Sequence, residues 1–303
     1  MGEILEALRR AEEDGGSRDM RPRRPAEAAP GPSFPALPPH ESVSRSPLPA
    51  HEPAQFHVNV PRDAENRAFG RIALSEGAGP IAEAFRHFAL KVRGGLAERR
   101  ARSVLVTSAL RAEGKTTTSC NLAVSLASVS GGARVALVDF DLRLPGVAPS
   151  LGVEVQCGIE EVLAGQARLD AARVETDVPD LDLFLVKAPP PKPHGLLARP
   201  ELGAVIAELE REYDLVVCDS PPTLPVPDAA LLLAHVSSFV IVVRSGATRL
   251  GAFRQLLSAL PAEKLLGSFL NGVPAARHMG GYDGYYYHSV TRPDEAAEKE
   301  EEA

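Results

Sequence analysis

Near the middle of the chain, a pattern typical of a buried strand leads directly through a Gly-Lys-Thr triplet into a helical pattern. The strand pattern is SVLVTS (103–108), the triplet closes ALRAEGKTT (109–117), and residues 115–129 fit a helix. Backbone N–H groups in such a loop and at the following helix N-terminus point at phosphate oxygens. The order of these three elements therefore predicts a phosphate-binding P-loop.

The side chains of this loop suit a nucleotide with its cation. The Lys115 ammonium neutralises β- and γ-phosphate charge, and the Thr116 hydroxyl ligates Mg²⁺. Ala109 stands where the first glycine of such a loop is usual. We expect nucleotide contacts along the whole loop: Ala109, Leu110, Arg111, Ala112, Glu113, Gly114, Lys115, Thr116 and Thr117.

Further apolar runs alternate with helical patterns after the loop. Near-continuous β-branched runs of this kind predict an α/β fold, a doubly wound, mostly parallel sheet with helices on both faces. The predicted strands are 103–108, 134–139, 181–186, 213–219, 238–244 and 265–271, and the predicted helices are 81–92, 115–129, 201–211, 227–235 and 249–260.

Composition divides the chain into four parts. We expect an amphipathic helix over 1–15 and a disordered, Pro-rich linker over 16–59, where ten prolines fall between residues 21 and 53. The P-loop domain is predicted over 60–279. The flexible tail at 280–303 holds a tyrosine cluster and an acidic run.

Charge and hydropathy limit the partners. The net charge of −7 gives no support for nucleic-acid binding. A run of about 20 apolar residues, which a membrane-spanning helix needs, is not found. The charged N-terminal stretch is unlike a signal peptide, so we expect a cytoplasmic protein.

Two predicted strands end in carboxylates. VALVDFDLRLP (135–145) contains Asp139 and Asp141, and YDLVVCDSPP (213–222) contains Asp219. Ligand sites in open α/β sheets lie at the carboxyl ends of the strands. Beside a polyphosphate, these acids can hold Mg²⁺ or accept a proton from an attacking hydroxyl. The alternative is that a strand-terminal Asp merely caps the next helix.

Together these motifs resemble the bacterial tyrosine kinases (BY-kinases), autokinases of capsular and exopolysaccharide systems. Their P-loop NTPase fold belongs to the subclass of septum-placing and partition ATPases. The resemblance covers about residues 70–290, and its most specific part is the element with Asp139, Asp141, Arg143 and Pro145.

The resemblance implies roles for particular residues. It implies catalytic roles for Lys115, Asp139, Asp141 and Asp219, and metal ligation by Thr116, Asp139, Asp141 and Asp219. Asn271 would contact adenine, and Glu83 with Arg86 would pack against a neighbouring subunit. The phosphoacceptors, presented to another subunit, would be Tyr282, Tyr285, Tyr286 and Tyr287.

The resemblance also implies ATP and Mg²⁺ as cofactors, and a homo-oligomer. A transmembrane polysaccharide chain-length regulator would act as activator and recruit the kinase to the inner face of the cytoplasmic membrane. A cognate phosphotyrosine phosphatase would reverse the reaction.

The chain departs from the family pattern at three places, one of which is the shortness of its tyrosine cluster. Arg111-Ala112 replaces Pro-Gly in the loop, and alanine disfavours positive φ. Ala89 replaces the last arginine of an E-x-x-R-x-x-R motif. Two other functions stay open: a partner-stimulated switch ATPase of the septum-placing type, in which a lysine would occupy the Leu110 position, and a non-catalytic export partner.

Overall fold

The computed structural model describes residues 80–273 as a seven-stranded sheet covered by helices. The strand order is β3-β4-β2-β5-β1-β6-β7. The strands are β1 (Ser103–Ser108), β2 (Val135–Asp139), β3 (Arg173–Glu175), β4 (Leu181–Phe184), β5 (Leu215–Asp219), β6 (Ser238–Arg244) and β7 (Leu265–Asn271).

Eight α-helices of the described residues connect or flank these strands. They are α1 (Pro80–Glu98), α2 (Lys115–Val129), α3 (Val147–Leu151), α4 (Ile159–Leu163), α5 (Pro193–Leu197), α6 (Pro200–Glu212), α7 (Asp228–Leu233) and α8 (Leu250–Ala259). Two 3₁₀ turns lie at Asp170–Ala172 and Ala262–Lys264.

The sheet is parallel except at one edge, where β3 runs antiparallel to β4. All residues of β1, β2 and β5 are buried, which explains why their sequences are continuous apolar runs rather than alternating ones. The predicted doubly wound α/β fold is confirmed. The antiparallel strand β3 was not predicted.

Helices cover both faces of the sheet, and each face has its own apolar core. One core is contributed mainly by α4, α6, α7 and α8, with Phe140, Phe184 and Phe239 among its fully buried side chains. The other is contributed by α1, α2 and α3. Ala89 lies in this second core with no exposed surface.

The topology brings three loops together at the carboxyl ends of the central strands. Strands β2, β5 and β1 are neighbours, and Asp139 is the register partner of Asp219. The loops that follow these parallel strands therefore leave the sheet side by side, at the edge where the P-loop begins.

Several predicted segments lie outside the described residues. These are the helix at 1–15, the linker at 16–59 and the tyrosine tail at 280–303. Among the helices within 80–273, none is both long and apolar enough to cross a bilayer.

Candidate functional site

The phosphate loop joins β1 to α2 through two residues with left-handed backbone. Gly114 has φ 91°, and a Cβ there would collide with the side-chain amide of Asn271. Ala112 has φ 61°, the conformation that alanine disfavours. The loop geometry that a Pro-Gly sequence would favour is therefore adopted here with alanine.

Side chains from distant strands hold this strained loop. The guanidinium of Arg244, at the end of β6, donates to the Ala112 carbonyl oxygen at 2.7 Å. The amide of Asn271, at the end of β7, donates to the Glu113 carbonyl oxygen at 3.1 Å. The strain at Ala112 is thus opposed by hydrogen bonds to two successive carbonyl oxygens, those of Ala112 and Glu113.

The buried side chain of Glu113 closes the loop from within. One carboxylate oxygen accepts the Leu110 N–H at 2.8 Å, and the other accepts the Thr248 hydroxyl. Because Glu113 is only 3% exposed, these bonds offset the cost of burying its carboxylate. We conclude that Glu113 shapes the loop rather than facing a ligand.

Asp219, the last residue of β5, lies beneath the start of α2. Its two carboxylate oxygens accept the Thr116 hydroxyl at 2.7 Å and the Ser119 hydroxyl at 2.9 Å. Burial raises the pKa of Asp219 to about 6, although the charge of Lys115 and both hydroxyl bonds oppose that shift. A cation at this place would favour the ionised carboxylate further.

Asp139, the last residue of β2, is fully buried and turned towards backbone. Its carboxylate accepts N–H groups from Asp141 at 3.0 Å, Gly146 at 3.0 Å and Val147 at 3.1 Å. Burial, and then the neighbouring charge of Asp219, raise its pKa well above the ordinary value. Asp139 therefore organises the loop that follows β2.

Asp141 lies beyond the end of β2 and lines an open cleft beside Lys115 and Thr116. Because β2 ends at Asp139, Asp141 belongs to the loop that follows the strand. One oxygen of Asp141 accepts the Leu144 N–H at 3.1 Å. Burial raises the pKa of Asp141, and Lys115 partly opposes that rise.

Arg143, also at the cleft, forms a two-point ion pair with buried Asp228 at the start of α7. Arg143 Nε and Nη2 donate to the two carboxylate oxygens at 2.6 and 3.0 Å. The hydrogen bonds to Asp228 raise the pKa of Arg143, so its guanidinium stays protonated. This pair ties the loop after β2 to the helix beyond β5.

The cleft has a buried polar floor and an exposed rim. We define the floor as Lys115 and Asp141, which line the cleft, together with the buried carboxylates of Glu113, Asp139 and Asp219, which are not part of its lining. We define the rim as the more exposed cleft-lining residues Arg111, Leu144, Pro225 and Val226. Leu144 is 58% exposed, more than the other exposed large apolar side chains, Ile81, Leu90, Leu110 and Leu270.

The residues present fit a magnesium ion held with a nucleotide rather than a cage made of protein alone. Within residues 80–273, no three His, Cys, Asp or Glu side chains form a cluster suited to a metal. Magnesium usually keeps waters and substrate phosphates and takes only one or two protein ligands. Thr116 and Asp219, joined at 2.7 Å at the phosphate loop, supply that donor set.

The other predicted site residues are placed as follows. Thr117 lies in the first turn of α2, and Ala109 is buried at the end of β1. Glu83 and Arg86 form an ion pair with each other on α1. The four predicted phosphoacceptor tyrosines lie outside the described residues.

Sequence reasoning missed four residues that support the site: Ser119, Asp228, Arg244 and Thr248. Ser119 stands one helical turn after Lys115, so helical periodicity carried a signal for it. The other three act across more than 80 residues of sequence and carry no local signal.

A phosphate loop that opens a helix, with a threonine hydrogen-bonded to a strand-terminal aspartate, defines a P-loop nucleotide-binding protein. A family model described as an AAA domain matches residues 112–262. The chain is 33% identical over 217 residues to the tyrosine-protein kinase YwqD of Bacillus subtilis (strain 168), a match covering 71% of this chain and 90% of YwqD. The chain belongs to the bacterial tyrosine-protein kinase family.

Two further comparisons agree with this family. The chain is 30% identical over 206 residues to the putative tyrosine-protein kinase EpsB of Ralstonia nicotianae, covering 65% of this chain but only 27% of that longer protein. The kinase domain of the Escherichia coli tyrosine kinase ETK superposes with a TM-score of 0.63 at 27% identity, covering 67% of this chain and 79% of that one.

Proposed function

We propose that this protein is an ATP-dependent tyrosine autokinase that phosphorylates its own C-terminal tyrosine cluster in trans and so regulates capsule or exopolysaccharide production. The main support for this proposal is the position of Asp141. Asp141 lines the cleft directly beside Lys115 and Thr116, so a carboxylate that can accept a proton stands next to the phosphate loop. That arrangement suits transfer to a hydroxyl.

The floor would bind and orient the nucleotide. The N–H groups of residues 111–117 and the Lys115 ammonium would receive the phosphates, whereas the Leu110 N–H is already bonded to Glu113. Thr116 and Asp219 would hold Mg²⁺, which when bound neutralises charge on the phosphate oxygens. The bonds from Arg244 and Asn271 keep the loop in place before the nucleotide arrives.

The acceptor side of the reaction would use Asp141. The tyrosine hydroxyl gives its proton to Asp141 while its oxygen forms a bond to the γ-phosphorus, and ADP leaves with the broken bond's electron pair. Asp139 then acts as a positioning residue, because three N–H groups occupy its carboxylate. The D-x-D motif alone leaves open which of the two acids is the base.

The partners implied by the family complete the proposal. A transmembrane chain-length regulator would recruit the kinase to the inner face of the cytoplasmic membrane, and a phosphatase would reverse its product. Glu83 and Arg86 on α1 would contact another subunit by exchanging their mutual ion pair for one across the interface. Asn271, already against the phosphate loop, would also border the adenine.

Phosphosite mapping tests the proposal. Full-length protein with ATP, Mg²⁺ and the cytoplasmic segment of its membrane partner should gain phosphate on Tyr282, Tyr285, Tyr286 and Tyr287. Lys115→Met should lower the rate at least about 100-fold, because it removes a charge that stabilises the transferring group. The control is Lys187→Met, which changes a half-exposed lysine outside the cleft lining.

Two results would contradict the kinase proposal. One is phosphate incorporation that survives Lys115→Met or maps only to Ser or Thr. The other is ATP hydrolysis stimulated by a partner without any phosphotyrosine, which would assign the chain to the switch ATPases instead.

A further inference from the structure

The rim of the cleft carries a cation that the floor does not use. Arg111 is exposed, and within residues 80–273 its guanidinium makes no hydrogen bond or ion pair. By contrast, Arg143 is committed to Asp228, and Lys115 is buried at the phosphate loop. Arg111 is therefore available to a ligand that enters from solvent.

Apolar surface stands beside this cation. Leu144 is 58% exposed, and Pro225 and Val226 line the same cleft. The N–H of Leu144 is bonded to Asp141, so this apolar side chain is placed by the same loop that carries the proposed base. A tyrosine ring could pack against these apolar side chains with its hydroxyl directed towards the floor.

The chain itself contains a segment of matching chemistry. Tyr282 is followed directly by Asp283, whereas Tyr285, Tyr286 and Tyr287 have no acidic residue next to them. The whole segment 280–303 holds seven acidic and two basic residues, so it complements a cationic rim. Tyr282 comes nine residues after Val273, a stretch that reaches about 30 Å when extended.

We propose that the rim is an acceptor subsite in which Arg111 pairs with the Asp283 carboxylate of a second copy while the Tyr282 ring packs against Leu144. This inference rests on the proposed kinase function and deepens it. Tyr282 is then the preferred acceptor, and Arg111, at a position where the family has another residue type, sets the preference for an acidic neighbour.

The proposed ion pair between Arg111 and Asp283 is tested by removing each charge separately and then both together. The donor is the full chain with Tyr282, Tyr285, Tyr286 and Tyr287 changed to Phe, and the acceptor is the full chain with Lys115→Met. Donors with Arg111 or Arg111→Gln are combined with acceptors bearing Asp283 or Asp283→Asn. The initial rate of phosphate incorporation at each tyrosine is measured by mass spectrometry.

With Arg111 in the donor, Asp283→Asn should lower the rate of phosphate incorporation at Tyr282 about threefold, as expected for the loss of one exposed ion pair. Tyr282 should then be phosphorylated no faster than the other tyrosines. With Arg111→Gln in the donor, Asp283→Asn should have no effect. The matched control is Arg211→Gln, a 71% exposed arginine near the end of α6, which leads to the amino end of β5. That donor should retain the full threefold sensitivity to Asp283→Asn.

Three outcomes would overturn the inference. One is an equal loss of rate with both donors on Asp283→Asn, which would place the partner of Asp283 elsewhere. Another is an equal loss of rate with both acceptors on Arg111→Gln, which would assign Arg111 to ATP alone. Absence of transfer from the Arg111 donor to any acceptor would refute the kinase proposal itself, and the subsite with it.

A second variant tests the apolar wall. Leu144→Ala keeps the backbone N–H that binds Asp141, and the side chain is exposed, so the fold should tolerate it. We expect the KM for the acceptor to rise about fivefold, and by more than the KM for ATP, because the ring loses part of its apolar contact. An equal rise in both KM values would contradict ring packing at Leu144.

Discussion

On the floor of the cleft, the carboxylates of Glu113, Asp139 and Asp219 are buried, and each accepts at least two hydrogen bonds. At the rim, Arg111 and Leu144 are exposed, and no residue of the described part of the chain pairs with the Arg111 side chain. The floor carboxylates find their hydrogen-bond partners within the chain, whereas the exposed rim residues are available to bind a partner.

This difference follows from the cost of burying charge. A buried carboxylate without partners would cost several kcal/mol, so the floor must be satisfied before any ligand arrives. Its geometry is preorganised as a result. Exposed rim residues carry no such requirement, so they can change between relatives without harming the fold, and they are free to set specificity.

The largest effect should come from Asp141, which lies where floor meets rim. Asp141→Asn removes the proposed base, and we expect kcat to fall about 100-fold in steady-state phosphorylation assays. The thermal unfolding temperature should stay close to that of the unsubstituted chain. Asp170→Asn, on a surface ion pair with Arg168, is the control. A kcat within threefold of the unsubstituted chain would remove Asp141 from the mechanism.

Substitution of Asp139 should lower the stability of the fold, whereas Asp141→Asn should lower kcat and leave stability unchanged. Asp139→Ala leaves three backbone N–H groups without their acceptor, so the free energy of unfolding should fall by about 3 kcal/mol in urea titrations. Asp139→Asn keeps one acceptor oxygen and should lose less. A loss below about 1 kcal/mol for the alanine variant would mean that Asp139 does not organise this loop.

The smallest effect should be a gain in stability at the strained loop. Ala112→Gly relieves an alanine held at φ 61°, and we expect about 0.5 to 1 kcal/mol of added unfolding free energy after the entropy of glycine is counted. Ala97→Gly, at an exposed position of helix α1, should lower stability instead. Equal signs for the two variants would show that Ala112 is not strained.

The sequence predicted most of the fold because buried parallel strands have a strong signal. Six strands were identified, and three of them, 103–108, 238–244 and 265–271, match the structure residue for residue. Strand β3 was missed because Arg173–Glu175 has a single apolar residue among three. So short an edge strand is determined by its pairing with β4 and not by its own composition.

The sequence predicted which residues of the site lie together, but not the residues that hold them in place. Lys115, Thr116 and Asp219 meet as expected, because motif spacing places all three at the carboxyl edge of the sheet. The hydrogen bond from Arg244 to Ala112 comes from the end of β6, 132 residues later in the chain. Similarly, the division of labour between Asp139 and Asp141 depends on where β2 ends, which a repeating D-x-D pattern does not reveal.

The contact between Asn271 and the phosphate loop has a consequence for how weak the acceptor site can be. Because the last strand ends against Gly114, the polypeptide that continues past Val273 starts beside a nucleotide site. In the proposed homo-oligomer, tyrosines tethered nine or more residues further on would be present at a high effective concentration around the active sites of neighbouring copies. A shallow rim with one cation would then suffice, since tethering would supply what tight binding otherwise provides.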